Sequence, residues 1–376
     1  MEWYSKEELI TILRRELQCV YTRYTLSPVI FKDNGNSINN LVRSSDTDLC
    51  ICEYVNEKYE VYHLNNLNII NILLKRKNHI FTILIISSIL MEQQSNNILK
   101  VLKNNVTISE LHICGGYEKN INTDSAEIIC EILDLQQLRL MDLSDNKLGP
   151  ELGKIILPGM TINYSLTDIN LSNNDLGKSV KIIAKALPSI FRLTILNLSK
   201  NNLGPEEGIL IAEGLGLNDS LDTLDISNNN LGEKGGIAIS TAFKKNTTLT
   251  KLNISNNGLG YTGLGEFLFM LYILKSTCKL TELDISMNEF IDNNKNSIHG
   301  FLLATLIRIN ISLKTLVFSY NMLGNKTDIG STIAKALSEN TTLTKLDLKT
   351  NRLGYANVLQ ITSANTTLTD LDLAFN

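Results

Sequence analysis

Gly258-Leu-Gly-Tyr-Thr-Gly263 has the spacing of a dinucleotide-binding turn, in which glycines let backbone amides approach a pyrophosphate. That chemistry also needs a βαβ unit and an acidic ribose partner, and neither surrounds this hexapeptide. Gly177-Lys-Ser179 has the ending of a phosphate-binding loop, but its leading glycine would fall at position 172, which is Ser172. The four histidines, His63, His79, His112 and His299, show neither the i, i+4 pair nor the Cys/His spacing of a metal site. Cys50-Ile-Cys52 could chelate or cycle through a disulfide, yet two thiols at alternate strand positions point the same way, and a shared packing face accounts for them. No Ser, His and Asp set follows from spacing. The expectation is no enzyme, no cofactor and no metal.

The elements that would carry such residues repeat. The pattern L-x-x-L-x-L-x-x-N-x-L occupies 138–148, 166–176, 193–203, 221–231, 249–259, 280–290, 313–323 and 343–353, with Phe290 closing the sixth copy. A ninth copy, 368–376, stops at its Asn. The period is about 28 residues and lengthens in the copies beginning at Leu249, Leu280 and Leu313. Each copy opens on a short strand whose apolar residues point inward and whose intervening residues point out. Asn146, Asn174, Asn201, Asn229, Asn257, Asn288, Asn321, Asn351 and Asn376 end the strands, where a side-chain amide can satisfy backbone groups left unpaired by the turn. A buried unsatisfied group costs about 1–3 kcal/mol, so this ladder is read as structure and not as a site. Helical patterns follow, as in Lys181-Ile-Ile-Ala-Lys-Ala-Leu187, 206–215 and 331–337, with small residues that let a helix sit close behind the sheet.

The consensus Leu-Asp-Leu-Ser-x-Asn-x-Leu-Gly and the Asn-Thr-Thr-Leu-Thr lead-in at Asn246, Asn340 and Asn365 resemble the ribonuclease-inhibitor class of leucine-rich repeats. That class includes ribonuclease inhibitor, the repeat regions of NOD-like receptors and the Ran GTPase-activating protein. The resemblance covers 108–376 if Ile108-Ser-Glu-Leu-His-Ile113 is a degenerate first repeat without the Asn. It implies an α/β leucine-rich-repeat solenoid, a curved horseshoe with a concave parallel sheet and convex helices, behind a small α+β N-terminal segment. The expected division is 1–105, a non-repeat cap, and 106–376, one degenerate and nine clear repeats.

Fold of this kind does not fix function, so the face must be read residue by residue. One outward row includes Asp168, Thr223, Lys251, Glu282, Lys345 and Asp370, and the next includes Asp142, Asp225, Asp284, Val317, Asp347 and Asp372. Acids outnumber bases on them, which favours a protein partner with basic groups, although Asp or Asn on the second row is equally explained by the repeat itself. The regular third row, Ser144, Ser172, Ser199, Ser227, Ser255, Ser286 and Ser319, is read as structural. Met287, Val317, Phe318, Tyr320 and Met322 break the consensus with apolar and aromatic groups. Phe318 falls inward, leaving Val317 and Tyr320 as the candidate anchors, with Met287, Asp168, Asp225, Lys251, Asp284 and Asp347 as further partner-binding candidates on the concave face. The insertions at 292–296 and 325–328 are expected as loops.

Before the repeats, Ser5-Lys-Glu-Glu8 has capping-box form and begins an amphipathic helix to about Tyr24. Residues 32–48 read as a loop, 49–55 and 59–64 as a β-hairpin, and 67–102 as two helices broken at the basic 75–78. The apolar run 80–91 is too short for a bilayer and is expected as a buried helix. With a net charge of −4 among 376 residues, nothing favours nucleic acid or an anionic membrane. Six cysteines without framework spacing and a polar start, Met1-Glu-Trp-Tyr-Ser-Lys-Glu-Glu, point to reduced thiols and a cytoplasmic location, with secretion by another route left open. The pattern stops at Asn376 without a polar terminal repeat, so either the copy is truncated or a partner or second copy covers that edge. The leading expectation is a protein-binding scaffold. Its rivals are a GTPase activator of the Ran type and a repeat-targeted effector or sensor with an N-terminal recruiting module.

Overall fold

Strands of three residues are too short to hold together alone, so their order depends on what each backbone finds beside it. The computed structural model describes residues 49–55, 58–64 and 81–87, then 96–114 apart from 101, 104 and 105, and 121–376 apart from 276, 289–297, 325, 326 and 364–366. The helix anticipated to Tyr24, the loop at 32–48, the basic cluster at 75–78 and the insertion at 292–296 lie outside the described residues. By its contacts the chain divides into two compact units between Asp175 and Leu176.

The first unit holds β1 (Leu49–Val55), β2 (Lys58–Leu64), β3 (Phe81–Ser87), β4 (Glu110–Cys114), α1 (Thr123–Asp134), β5 (Leu140–Asp142), α2 (Gly149–Thr161) and β6 (Asp168–Asn170). Its strands run in the order β2-β1-β3-β4-β5-β6. β1 pairs antiparallel with β2 and with β3. From β3 to β6 every pairing is parallel, with Ile85 opposite His112, His112 opposite Asp142, and Asp142 opposite Asn170.

The anticipated helix across 80–91 is therefore wrong at its centre, because 81–87 is β3. The run Phe-Thr-Ile-Leu-Ile-Ile-Ser is dense in β-branched residues, which lose χ1 freedom in a helix and fit a pleated surface. Length and periodicity alone do not separate a short buried strand from a buried helix.

The second unit alternates α3 (Lys181–Ala186), β7 (Ile195–Asn197), α4 (Pro205–Leu215), β8 (Thr223–Asp225), α5 (Gly232–Ala242), β9 (Lys251–Asn253), α6 (Gly260–Ile273), β10 (Glu282–Asp284), α7 (Ile298–Ile309), β11 (Thr315–Val317), α8 (Thr327–Glu339), β12 (Lys345–Asp347), α9 (Tyr355–Ser363) and β13 (Asp370–Asp372). Short 3₁₀ turns flank α3 at Gly177–Val180 and Leu187–Ser189. The loop anticipated at 325–328 already enters α8 at Thr327, and 325 and 326 lie outside the described residues. Strands β7 to β13 form consecutive parallel pairs in identical register. The middle residue of each of β7 to β12, a leucine throughout, is buried, while its neighbours are partly open to solvent. Burying a leucine contributes about 1.5–3 kcal/mol relative to leaving it exposed, so each short strand is held by its core side chain. Phe243 and Phe267 meet edge to face at 6.3 Å, and Phe318 is fully buried, as its inward position predicts.

The helices approach each other closely where a side chain is missing. A Cβ on Gly214 of α4 would lie 2.2 Å from the Ala184 carbonyl oxygen of α3. Backbone cannot yield as a flexible side chain can, so Gly214→Ala is expected to cost about 2–3 kcal/mol through overpacking. Urea unfolding of the variant beside the parent checks this, and an unchanged midpoint would contradict it.

Candidate functional site

The turn after each strand dictates what its side chains do. Asn288 is fully buried. Its Nδ2 donates to the carbonyls of Ile254, Ile285 and Ser286, and its Oδ1 accepts from the Asn257 amide at 3.0 Å. Asn146, Asn257, Asn321 and Asn351 likewise donate an amide to the Oδ1 of the following ladder Asn, and Asn201 donates to Asn229. Asn174 reaches back to the Leu143 carbonyl at 2.7 Å. These bonds tie one turn to the next and leave the ladder no free function at the surface.

A second ladder stands at the opposite ends of the strands. Asn163, Asn218, Asn246 and Asn340 each donate to a carbonyl of the preceding repeat, at 2.7–2.9 Å for Leu133, Leu187, Leu215 and Ile307. Each also accepts from the amide three residues on. In the sequence Asn246 and Asn340 stand out only as part of a family lead-in, and Asn163 and Asn218 do not stand out. Their signal was an Asn placed three residues before the opening leucine in six of the nine repeats.

The second outward row has a local task as well. Asp225, Asp284 and Asp347 each accept, through Oδ1, the amide two residues on, at 2.9, 2.9 and 2.8 Å. Asn170, Asn197 and Asn253 do the same in their repeats. The hydroxyls of Ser199, Ser255 and Ser286 close onto the same oxygens. Val317 interrupts the series, because it has no acceptor to offer.

Burial pushes the Asp284 carboxyl above the usual carboxylate range; the two bonds from Ser286 oppose this, and Asp225 and Asp347 add repulsion. A raised folded pKa means the chain binds the proton more tightly folded than unfolded. The resulting stability is present below the unfolded value of about 3.9 and is lost as pH rises through the folded value. Asn accepts the same bonds in sister repeats, so Asp284→Asn is expected to be more stable than the parent at pH 7. The gap should close below about pH 4, where the parent is protonated in both states. Urea melts at the two pH values check it, and a less stable variant at pH 7 would contradict it.

Of the charged first-row residues, Asp168 pairs with Arg139 at 2.7 Å, Lys251 with Glu282 at 2.6 Å and Lys345 with Asp370 at 2.8 Å. The Glu282 partner holds the Lys251 ammonium above its ordinary pKa. These exposed cross-strand pairs contribute little stability and mask part of the row's charge.

Met287 and Tyr320 fall in the turns rather than on the strands. Both lie one residue before a ladder Asn, at a position that is left-handed in every clear repeat, with φ of 55° and 58° for these two. Asp145, Asn173, Asn228 and Asn256 fill it with short polar side chains that tolerate this conformation, whereas Met287 and Tyr320, like Lys200, Thr350 and Phe375 in other repeats, hold it at a steric cost. The repeat imposes the backbone: the amides of Met287 and Tyr320 donate to the Ser319 and Lys349 carbonyls. The side chains stay 45% and 44% exposed, and Met322, also left-handed, is 37% exposed. Two bulky apolar side chains thus sit in adjacent repeats, held outward at an energetic cost.

In the first unit, parallel register gathers residues that the spacing left apart. His112 Nδ1 lies 3.3 Å from Asp142 and its Nε2 lies 3.8 Å from Glu110. Arg139 bridges Glu110 and Asp168. A histidine between two carboxylates can move a proton, but His112 is 1% exposed and out of a substrate's reach. Cys130 and Cys278 are free thiols, and burial raises both above the ordinary thiol pKa, which disfavours the reactive thiolate. Among the described residues, no group of three or more His, Cys, Asp or Glu is placed to hold a metal ion. Nor is any helix among them long and apolar enough to cross a membrane.

Comparison with known proteins follows the same repeats. The Leucine Rich repeat family matches at residues 192–212, 218–240, 245–268, 339–356 and 364–376. No curated protein matches the chain. Solved structures that match include the actin-binding site 2 of leiomodin-1. It is 20% identical over 40% of this chain and 84% of that one, with a TM-score of 0.33. The chain carries leucine-rich repeats, and its alternating strands and helices are those of an α/β leucine-rich-repeat solenoid.

Proposed function

We propose, for a chain built on leucine-rich repeats, that it is a non-enzymatic scaffold binding a partner protein on the strand-lined face, the concave side in repeats of this kind. The observation that carries the reading is the pair Met287 and Tyr320: apolar, half exposed, in neighbouring repeats, and kept in a left-handed conformation that Asn or Asp fills in four of the other repeats. Strain held at an exposed position points to selection for something other than stability. Around these anchors Asp284 and Asp347 each keep one carboxylate oxygen clear of their local bond, and Asp225 gives its second oxygen to the Asn253 side-chain amide; the acidic row favours a partner with basic groups. Val317 lies on the same row between Asp284 and Asp347, where an apolar group widens the anchor. Affinity capture with the full chain, followed by titration of the captured partner against anchor variants, tests the reading. Activation of a small GTPase has only the repeat resemblance behind it, and stimulated GTP hydrolysis by the purified chain would replace the scaffold reading.

A further inference from the structure

A helix on the outside of a repeat protein normally turns charged or polar residues to water. The helices that flank α6 and α7 comply: α5 exposes Glu233, Lys234 and Thr241, and α8 exposes Asp328, Ser331, Lys335 and Ser338. Helix α6 does not. It exposes Phe269, Tyr272 and Ile273 at 43%, 39% and 51%, with the two rings stacked at 6.3 Å, and Glu266 is its one charged residue. A groove between the C-terminal ends of α6 and α7 continues this surface, lined by Leu271, Lys275, Cys278, Ile309 and Ile311. Ile311 is 67% exposed at its edge.

Cations stand at or beyond the C-terminal ends of α5, α6 and α7. Lys244 and Lys245 follow α5, Lys275 and Lys279 follow α6, and Arg308 closes α7, all exposed. Cations at helix C-termini suit the helix dipole, but that leaves their charge available. Among the described residues none of these five is in an ion pair, whereas Lys251, Lys345 and Arg139 on the strand face all are. A second copy docking by the same face would bring like charges together, which disfavours self-association.

We propose that this face of α6 and α7 binds an acidic, amphipathic segment of a partner protein, independently of the strand-lined face. An apolar side chain of the segment packs on Phe269, Tyr272 and Ile273, beside the shallow groove that Ile311 edges. Its carboxylates meet Lys275 and the neighbouring cations.

The test is selection of random displayed peptides on the immobilised full-length chain. Enriched peptides are expected to combine Asp and Glu with Leu or Phe. Their affinity should fall at least about tenfold with Phe269→Asp and with Lys275→Glu, and stay unchanged with Tyr320→Ala. The two surface variants should keep the parent's thermal melt, and Lys275→Glu alone carries the test if Phe269→Asp does not. The proposal is overturned by enrichment without acidic residues, by no enrichment, or by affinity that neither variant alters. It is also overturned if Phe269→Asp abolishes a concentration-dependent dimer in sedimentation. Binding to vesicles of phosphatidylcholine and phosphatidylserine that Phe269→Asp removes would likewise overturn it, assigning the face to a lipid surface.

Discussion

Asn288→Ala is expected to destabilise the chain by about 4 kcal/mol, from at least two buried backbone groups left without partners at about 1–3 kcal/mol each. The substitution removes one acceptor and three donated bonds at a fully buried position. Because each repeat touches mainly its neighbours, the damage should concentrate there. Amide exchange should accelerate in β9 and β10 before it does in β7. Urea unfolding measures the total, and a loss below about 1 kcal/mol would mean that the ladder is only a sequence signature.

The ladder was legible because it recurs at a fixed place after alternating leucines, and strand, turn and helix followed from it. The second ladder was harder to read. Its Asn sits among Ser, Thr and Leu in an irregular loop, and only the stacked backbone shows that Asn218 reaches the Leu187 carbonyl of the preceding repeat. The strand at Phe81–Ser87 was misread because an apolar run of that length has no period to distinguish helix from sheet. Residues that meet only through parallel register, such as His112 and Asp142, cannot be found from spacing along the chain. For the candidate face, outward positions were readable from period two, and Met287 and Tyr320 stood out by side-chain type. Their left-handed φ was not readable, and it turns a departure from consensus into a physical cost.

That cost makes the second large effect unusual in sign. Asn fills the same position at Asn173, Asn228 and Asn256, where its short polar side chain tolerates the left-handed backbone. Met287→Asn with Tyr320→Asn should therefore not weaken the fold, and should stabilise it by up to about 1 kcal/mol per site. Removing two central anchors should meanwhile cost binding at least about 2 kcal/mol, a factor of roughly 30, since aromatic and long apolar anchors dominate interface energetics. An ordinary surface substitution would alter neither quantity, and a core substitution would lower both.

The most direct test is the dissociation constant of the captured partner for the Met287→Asn, Tyr320→Asn variant, with its urea midpoint taken on the same preparation. The account predicts affinity weakened about 30-fold or more at a midpoint equal to or above the parent's. Undiminished affinity, or a loss of affinity that only tracks a loss of stability, would contradict it.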